Sequence, residues 1–64
     1  MSKKVRELIK LLEMNGWHFI RERGDHKIYG KEGAKRSIPV PGKMSKDLRA
    51  SEWYGILREA GIDW

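Results

Sequence analysis

The sequence predicts a small α+β domain, and three observations carry this prediction. Apolar residues recur with a helical period near both ends of the chain, whereas the middle part alternates as strands do. Turns that contain glycine divide the middle part into short strands. The predicted order is therefore α-β-β-β-α in two layers, with a three-stranded antiparallel sheet and both helices on one face.

Length and composition limit the class of protein. With 64 residues and no cysteine, the chain is expected to be one domain over 1–64, without disulfides or a thiolate zinc site. No apolar run is long enough to span a bilayer, and the first residues lack the apolar segment of a secretory signal. We therefore expect a cytoplasmic chain with no membrane partner.

The chain is strongly basic, with a formal net charge of +5 and a pI near 9.8. Such a balance favours an anionic partner, either a nucleic acid or an acidic protein. Net charge also serves solubility, so charge alone does not decide between these alternatives.

The first helix is predicted over residues 2–14, where apolar side chains follow a 3.6-residue period. Ser2 is the expected N-cap, and Asn15-Gly16 supplies residues that tolerate the left-handed backbone of a helix end. The second helix is predicted over residues 47–60, capped by Ser45 or Asp47 and closed by Gly61. Its apolar stripe is Trp53, Ile56, Leu57 and Ala60, and Ile62 is expected to pack just beyond its end.

Three strands are predicted between the helices. The first covers residues 17–23, and strict alternation gives it two sides: Trp17, Phe19 and Arg21 on one, His18, Ile20 and Glu22 on the other. The second covers residues 26–30. The third covers residues 34–40, after a turn at 31–33. Because Pro39 cannot donate a ladder hydrogen bond, this strand either lies at a sheet edge or ends its pairing at Pro39. Residues 41–46 then form an exposed loop.

The aromatic residues are expected mainly in the core. Trp17, Phe19 and Trp53 supply the large apolar area that so small a domain needs. For Tyr29 two interpretations stay open, stacking on a nucleic-acid base or packing across the strands.

His26 is the candidate catalytic residue, because it follows the predicted Gly24-Asp25 turn and lies among cations. A histidine has an unperturbed pKa of about 6.5 and can therefore exchange protons near neutral pH. In RNA the substrate's own 2′-hydroxyl can be the nucleophile, so one imidazole and nearby cations form a minimal cleavage site. The alternative is that His26 is an ordinary polar strand residue.

Six cations are candidates for contact with RNA phosphates. These are Arg21, Arg23, Lys27, Lys35, Arg36 and Lys43. Lys35 and Arg36 would reach the site from the third strand. His18, His26 and Asp25 match no familiar ligand spacing, so we expect neither a metal nor another cofactor.

These residues resemble the HicA toxin family over most of the chain, from about Val5 to Ile62. Four segments carry the resemblance: Gly16-Trp17, Arg23-Gly24-Asp25-His26-Lys27-Ile28-Tyr29, Ser37-Ile38-Pro39-Val40 and Leu57-Arg58-Glu59-Ala60-Gly61-Ile62.

The resemblance implies an mRNA interferase of a type II toxin–antitoxin system, with a fold like the double-stranded-RNA-binding domain. It also implies that His26 is catalytic, that Gly24 shapes its turn, and that a HicB-type antitoxin blocks the site. We expect a monomer when free and a hetero-oligomer with the antitoxin.

The sequence departs from the family pattern at two places. Many members have serine where this chain has Asp25, whose carboxylate can orient the imidazole or hold it protonated. Many also carry a second histidine where this chain has Pro41-Gly42. If that histidine assists in the family, activity here is expected to be reduced, to have an altered pH optimum or to depend on Lys43. Two rival functions remain, a non-catalytic RNA-binding module and a protein-interaction domain.

Overall fold

The computed structural model describes residues 3–62 and has the predicted order of elements. Helix α1 spans Val5–Met14 and helix α2 spans Ala50–Glu59, and the three strands between them are β1, His18–Arg23, β2, His26–Gly30, and β3, Ile38–Pro41. The strands form one antiparallel sheet in the order β1-β2-β3, which confirms that β3 is an edge strand. Within residues 3–62, neither helix has the length and apolar character needed to cross a membrane.

The core lies between the two helices and one face of the sheet. Helix α1 contributes Val5, Leu8 and Leu12, helix α2 contributes Leu57, and β3 contributes Ile38 and Val40, all of them almost completely buried. Burial of each such side chain is worth about 1.5–3 kcal/mol relative to exposure. Every residue of β1 is exposed, so this strand adds little to the core.

Both helices end as predicted, at glycines with a left-handed backbone. The φ angle is 90° at Gly16 and 71° at Gly61. The residue after each glycine donates its N–H to the carbonyl five positions earlier, at 2.9 Å for Trp17 and 3.0 Å for Ile62. Trp17 and Ile62 are both buried, which completes a Schellman motif at each helix end.

The predicted start of α2 is wrong by three residues. The helix begins at Ala50, and its N-cap is Arg49, whose backbone N–H donates to the Glu52 carboxylate at 3.0 Å. Asp47 has an extended backbone and does not cap the helix. Its carboxylate forms an ion pair with Lys4, in which Asp47 Oδ1 lies 3.1 Å from Lys4 Nζ. Buried Leu48 explains the delay, because its side chain joins the core before the helix begins.

The start of α1 also differs from the prediction. The helix begins at Val5 with Lys4 as its N-cap, and the predicted cap Ser2 lies outside the described residues. The first helical N–H groups donate to carbonyls of the segment 42–48 instead of a capping side chain, Val5 to Lys46 at 2.9 Å and Arg6 to Met44 at 3.0 Å.

A β-bulge in β1 changes which face its side chains occupy. Phe19 lies opposite Tyr29, and the next pair along the ladder is Arg21 opposite Ile28, so Ile20 is an extra residue. Directly opposed residues share a face of the sheet. The predicted alternation, with Phe19 and Arg21 on the same side, is therefore wrong after residue 19.

Phe19 was expected in the core but is 49% exposed, because it lies on the outer strand of the sheet. Its ring meets Tyr29 edge-on with centroids 5.9 Å apart, so Tyr29 packs across the strands. Burial raises the pKa of Tyr29, and the negative charge of Glu13 raises it further. The expectation of burial is confirmed for Trp17 and Trp53.

The third strand is shorter than predicted. The turn after β2 forms as expected, with the Ala34 N–H donating to Lys31 O at 3.0 Å. Strand β3 then begins only at Ile38, so Lys35 and Arg36 lie in the segment between β2 and β3 and not on the third strand. Neither of these two residues pairs with β2, whose last paired position in this ladder is Tyr29.

Candidate functional site

The β1–β2 turn places His26 at an exposed corner of the sheet. Arg23 pairs with His26, which leaves Gly24 and Asp25 as a two-residue loop. Gly24 has a φ of 60° and Asp25 does not have a positive φ, the arrangement of a type II′ turn with glycine first. His26 is therefore the first residue of β2, is exposed, and lies directly opposite Arg23.

The register set by the β1–β2 turn places the two predicted arginines on the face of His26. Tyr29 faces the helices, so by alternation Ile28 and His26 lie on the helix-free face. Arg21 opposes Ile28 and Arg23 opposes His26, so both arginines also belong to that face. Glu22 is the acidic residue of the three strands, and it lies opposite Lys27 on the helix side of the sheet. It therefore does not share a face with Arg21 and Arg23 and does not neutralise their positive charge there.

A groove lies at the end of the sheet where His26 meets β3. Pro41 is the direct partner of His26 across the β2–β3 ladder, and the chain then turns at Gly42. The ionisable side chains around this groove are His26, Lys27, Lys43, Lys46, Glu22 and Asp25. The groove brings together five of the sequence-predicted site residues. Four come from the hairpin, namely Gly24, Asp25, His26 and Lys27, and the fifth is Lys43 in the segment 42–46 after β3, called the connector below.

The connector that forms one wall of the groove is bound to the rest of the protein at both ends. At the His26 end, the Gly42 N–H donates to Asp25 O at 3.1 Å. At the other end, Lys46 O and Met44 O accept the first N–H groups of α1, and the Leu48 N–H donates to Lys3 O at 2.9 Å. The predicted exposed loop is exposed at residues 43–47, but its backbone is held in place.

Lys27 has a different position from the other predicted cations. It lies on the helix side of β2, is half-buried, and its Nζ is 3.5 Å from Gly42 O. This contact joins β2 to the connector. Lys27 therefore contributes to the shape of the groove whether or not it also meets a phosphate.

Lys35 and Arg36 are not brought together with His26. They line a second groove that also contains Trp17 and lies at the opposite end of the sheet. His26 and Gly30 are the two ends of β2, and four residues of strand span about 13 Å. Only an extended polymer would contact both sites at once.

Lys46 also lines the His26 groove, although it is not among the site residues predicted from the sequence. A signal was available in the turn-rich segment Pro41-Gly42, which indicates a tight return of the chain and so brings the following lysines back towards the strand end. Within residues 3–62, no group of three or more His, Asp or Glu side chains is placed to hold a metal ion.

Together these features define a small basic α+β domain with one exposed imidazole at a corner surrounded by cations. A family model described as the HicA toxin of bacterial toxin–antitoxin systems matches residues 5–62, a range that includes every helix and strand. The chain therefore belongs to the HicA toxin family, as its resemblance indicated. No curated protein matches the chain in a sequence search.

Proposed function

We propose that this HicA family toxin is an endoribonuclease that cuts mRNA without a metal ion, with His26 as its catalytic residue. The observation that carries the proposal is the position of His26. It is an exposed imidazole at the open end of the sheet, with Arg23 opposite on one side and the lysine-bearing connector on the other. Phosphodiester cleavage needs a proton acceptor beside groups that stabilise negative charge, and both are present here.

The proposed reaction uses the 2′-hydroxyl of the RNA as nucleophile. His26 accepts the 2′-hydroxyl proton while the 2′-oxygen forms a bond to phosphorus. The bond from phosphorus to the 5′-oxygen then breaks, and the leaving oxygen takes a proton from water. The products are a 2′,3′-cyclic phosphate and a free 5′-hydroxyl. Cations beside His26 stabilise the negative charge that develops on the phosphorane.

The RNA is proposed to lie across the helix-free face and into the groove. Arg21, Arg23 and Lys43 would hold phosphates close to the cleaved bond, and Lys27 would support the groove wall. Lys35 and Arg36 would meet only more distant parts of a longer RNA. Gly24 and Asp25 fix the turn that presents the imidazole.

The partner of this toxin is proposed to be a HicB-type antitoxin that covers the His26 groove, in the cytoplasm where mRNA is translated. The free toxin would be a monomer and the neutralised form a hetero-oligomer. Membership of a toxin family of toxin–antitoxin systems supports an antitoxin partner. Covering one exposed corner is sufficient to block the proposed chemistry, because His26 is reached from solvent there.

The test is RNA cleavage in EDTA by the wild type, His26→Ala and His18→Ala. His18 is the matched control, since it is an exposed histidine of β1 opposite Gly30 at the other end of the hairpin. We expect His26→Ala to abolish cleavage while His18→Ala retains it, and the product to end in a cyclic phosphate. Cleavage by folded His26→Ala would refute the assignment. RNA binding without cleavage by the wild type would favour the non-catalytic RNA-binding module.

A further inference from the structure

The segment 42–46 carries two exposed lysines, Lys43 and Lys46, past the open side of the His26 groove. The Lys46 N–H donates to Lys43 O at 2.9 Å, which closes a turn between them. Backbone hydrogen bonds then attach the segment to the Asp25 turn on one side and to the start of α1 on the other. The backbone that carries these two lysines is therefore held beside His26 before any ligand arrives.

The aliphatic stem of the Lys46 side chain lies against Gly42. Gly42 has a φ of 82°, and a Cβ atom at this position would overlap Cδ of Lys46 and come within 3.3 Å of its Cβ and Cγ. The aliphatic part of Lys46 thus lies across Gly42, next to Pro41, which is the direct partner of His26. A lysine held by its stem loses less freedom on binding an anion than one that extends freely into water.

The surrounding charges leave the Lys46 ammonium available. The carboxylate next to it in sequence, Asp47, is paired with Lys4 at 3.1 Å. Of the two carboxylates in the groove, Glu22 lies opposite Lys27 across the β1–β2 ladder, and Asp25 lies in the turn. The excess positive charge on the connector side of the groove therefore comes from Lys43 and Lys46.

From this arrangement we infer that Lys46 binds a phosphodiester of the RNA beside His26, with Gly42 present to let its stem cross the connector. This inference rests on the proposed function for the nature of the anion. It adds a specific phosphate-binding residue to the site, and it gives Gly42 a role that its turn geometry alone does not require.

The experiment compares Lys46→Met, Lys46→Arg and the control Lys10→Met. Methionine keeps an unbranched stem that can pack on Gly42 but removes the charge, whereas arginine keeps the charge. Lys10 is an exposed lysine of α1, so its replacement causes the same loss of net charge away from the groove. Thermal unfolding followed by circular dichroism checks that each variant is folded.

Binding is measured by fluorescence anisotropy with a labelled 2′-O-methyl RNA, which lacks the nucleophile and cannot be cut by the proposed reaction. We expect Lys46→Met to lower the slope of log affinity against log salt by about 0.7, the value for one single-strand phosphate contact. Lys46→Arg should restore the slope, and Lys10→Met should leave it unchanged. Equal behaviour of folded Lys46→Met and Lys10→Met would overturn the inference, as would a wild type that does not bind this RNA.

Cleavage of unmodified RNA separates this inference from the proposed function. Loss of a charge that stabilises the phosphorane should lower kcat/KM of Lys46→Met by about tenfold or more, whereas Lys46→Arg should recover most of it. If His26→Ala still cut RNA, the proposed function would fail, and the binding result for Lys46 would still be decided by the anisotropy measurement.

Discussion

Replacing Arg21 and Arg23 together with glutamine tests whether the helix-free face beside His26 binds RNA. The two-residue turn sets the register that places both arginines on this face, opposite Ile28 and His26. If each arginine neutralises one phosphate of a single strand, the double variant should lose about 1.4 from the salt slope, since each contact contributes about 0.7. Between about 50 and 200 mM salt, the wild-type affinity should therefore fall about sevenfold more than that of the variant.

The matched control is the double variant Lys35→Gln, Arg36→Gln, which loses the same charge at the opposite end of the sheet. Affinities are measured by anisotropy over a salt series, with an uncleavable oligonucleotide too short to reach both ends of the sheet. We expect the control to keep the wild-type slope. The same reduction in both double variants would refute the reasoning, because binding would then follow net charge and not the position of the two arginines on the helix-free face.

Three further predictions concern stability, and a fourth concerns the pKa of Tyr29. Gly55 lies within α2 with open space at its Cβ position, so Gly55→Ala should stabilise the fold by about 0.5–1 kcal/mol. Gly61→Ala should cost about 1–2 kcal/mol, because its φ is 71°. Thermal midpoints should move in opposite directions, by roughly 4–8 °C per kcal/mol; a stabilising Gly61→Ala would contradict the Schellman argument. The folded-state pKa of Tyr29 is raised above its ordinary 10.0, so its contribution to stability is complete below pH 10.0 and is lost as the pH rises through the folded-state value. Glu13→Gln should lower the Tyr29 pKa, measured by phenolate absorbance in a Tyr54→Phe background, and an unchanged value would exclude Glu13 as a cause.

The ends of the helices could be predicted because local chemistry decides them. Gly16 and Gly61 each follow an amphipathic run, and each is followed by a large apolar residue that has to return to the core. A left-handed glycine with such a neighbour is sufficient to define a Schellman end. The start of α2 could not be predicted in the same way, because the apparent cap Asp47 pairs with Lys4, more than forty positions away.

The bulge at Ile20 has no local signal in the sequence. Neither glycine nor proline marks it, and the residues around it fit an ordinary alternating strand. Its physical reason lies across the ladder, where Gly30 has no side chain and the Ile20 side chain occupies the space that a Cβ would fill. The predicted position of His26 beside the turn does not depend on the bulge, since the tight turn and the first residue of β2 require only Gly24 and its neighbours.

Pro41 stands in the segment where the family resemblance leads one to expect a second histidine, and the structure shows what surrounds this position. Pro41 is directly opposite His26 on the helix-free face, and opposed side chains in an antiparallel pair have Cβ atoms about 4.5–5.5 Å apart. A second imidazole there would be well placed to share proton removal and proton donation with the first. Because Pro41 occupies that position, the proposed reaction would use His26 to accept the 2′-hydroxyl proton and would lack a second imidazole opposite it to protonate the leaving oxygen. The proposed site would then depend more on charge stabilisation of the phosphorane, which Arg23 and the lysines of the segment 42–46 are positioned to supply.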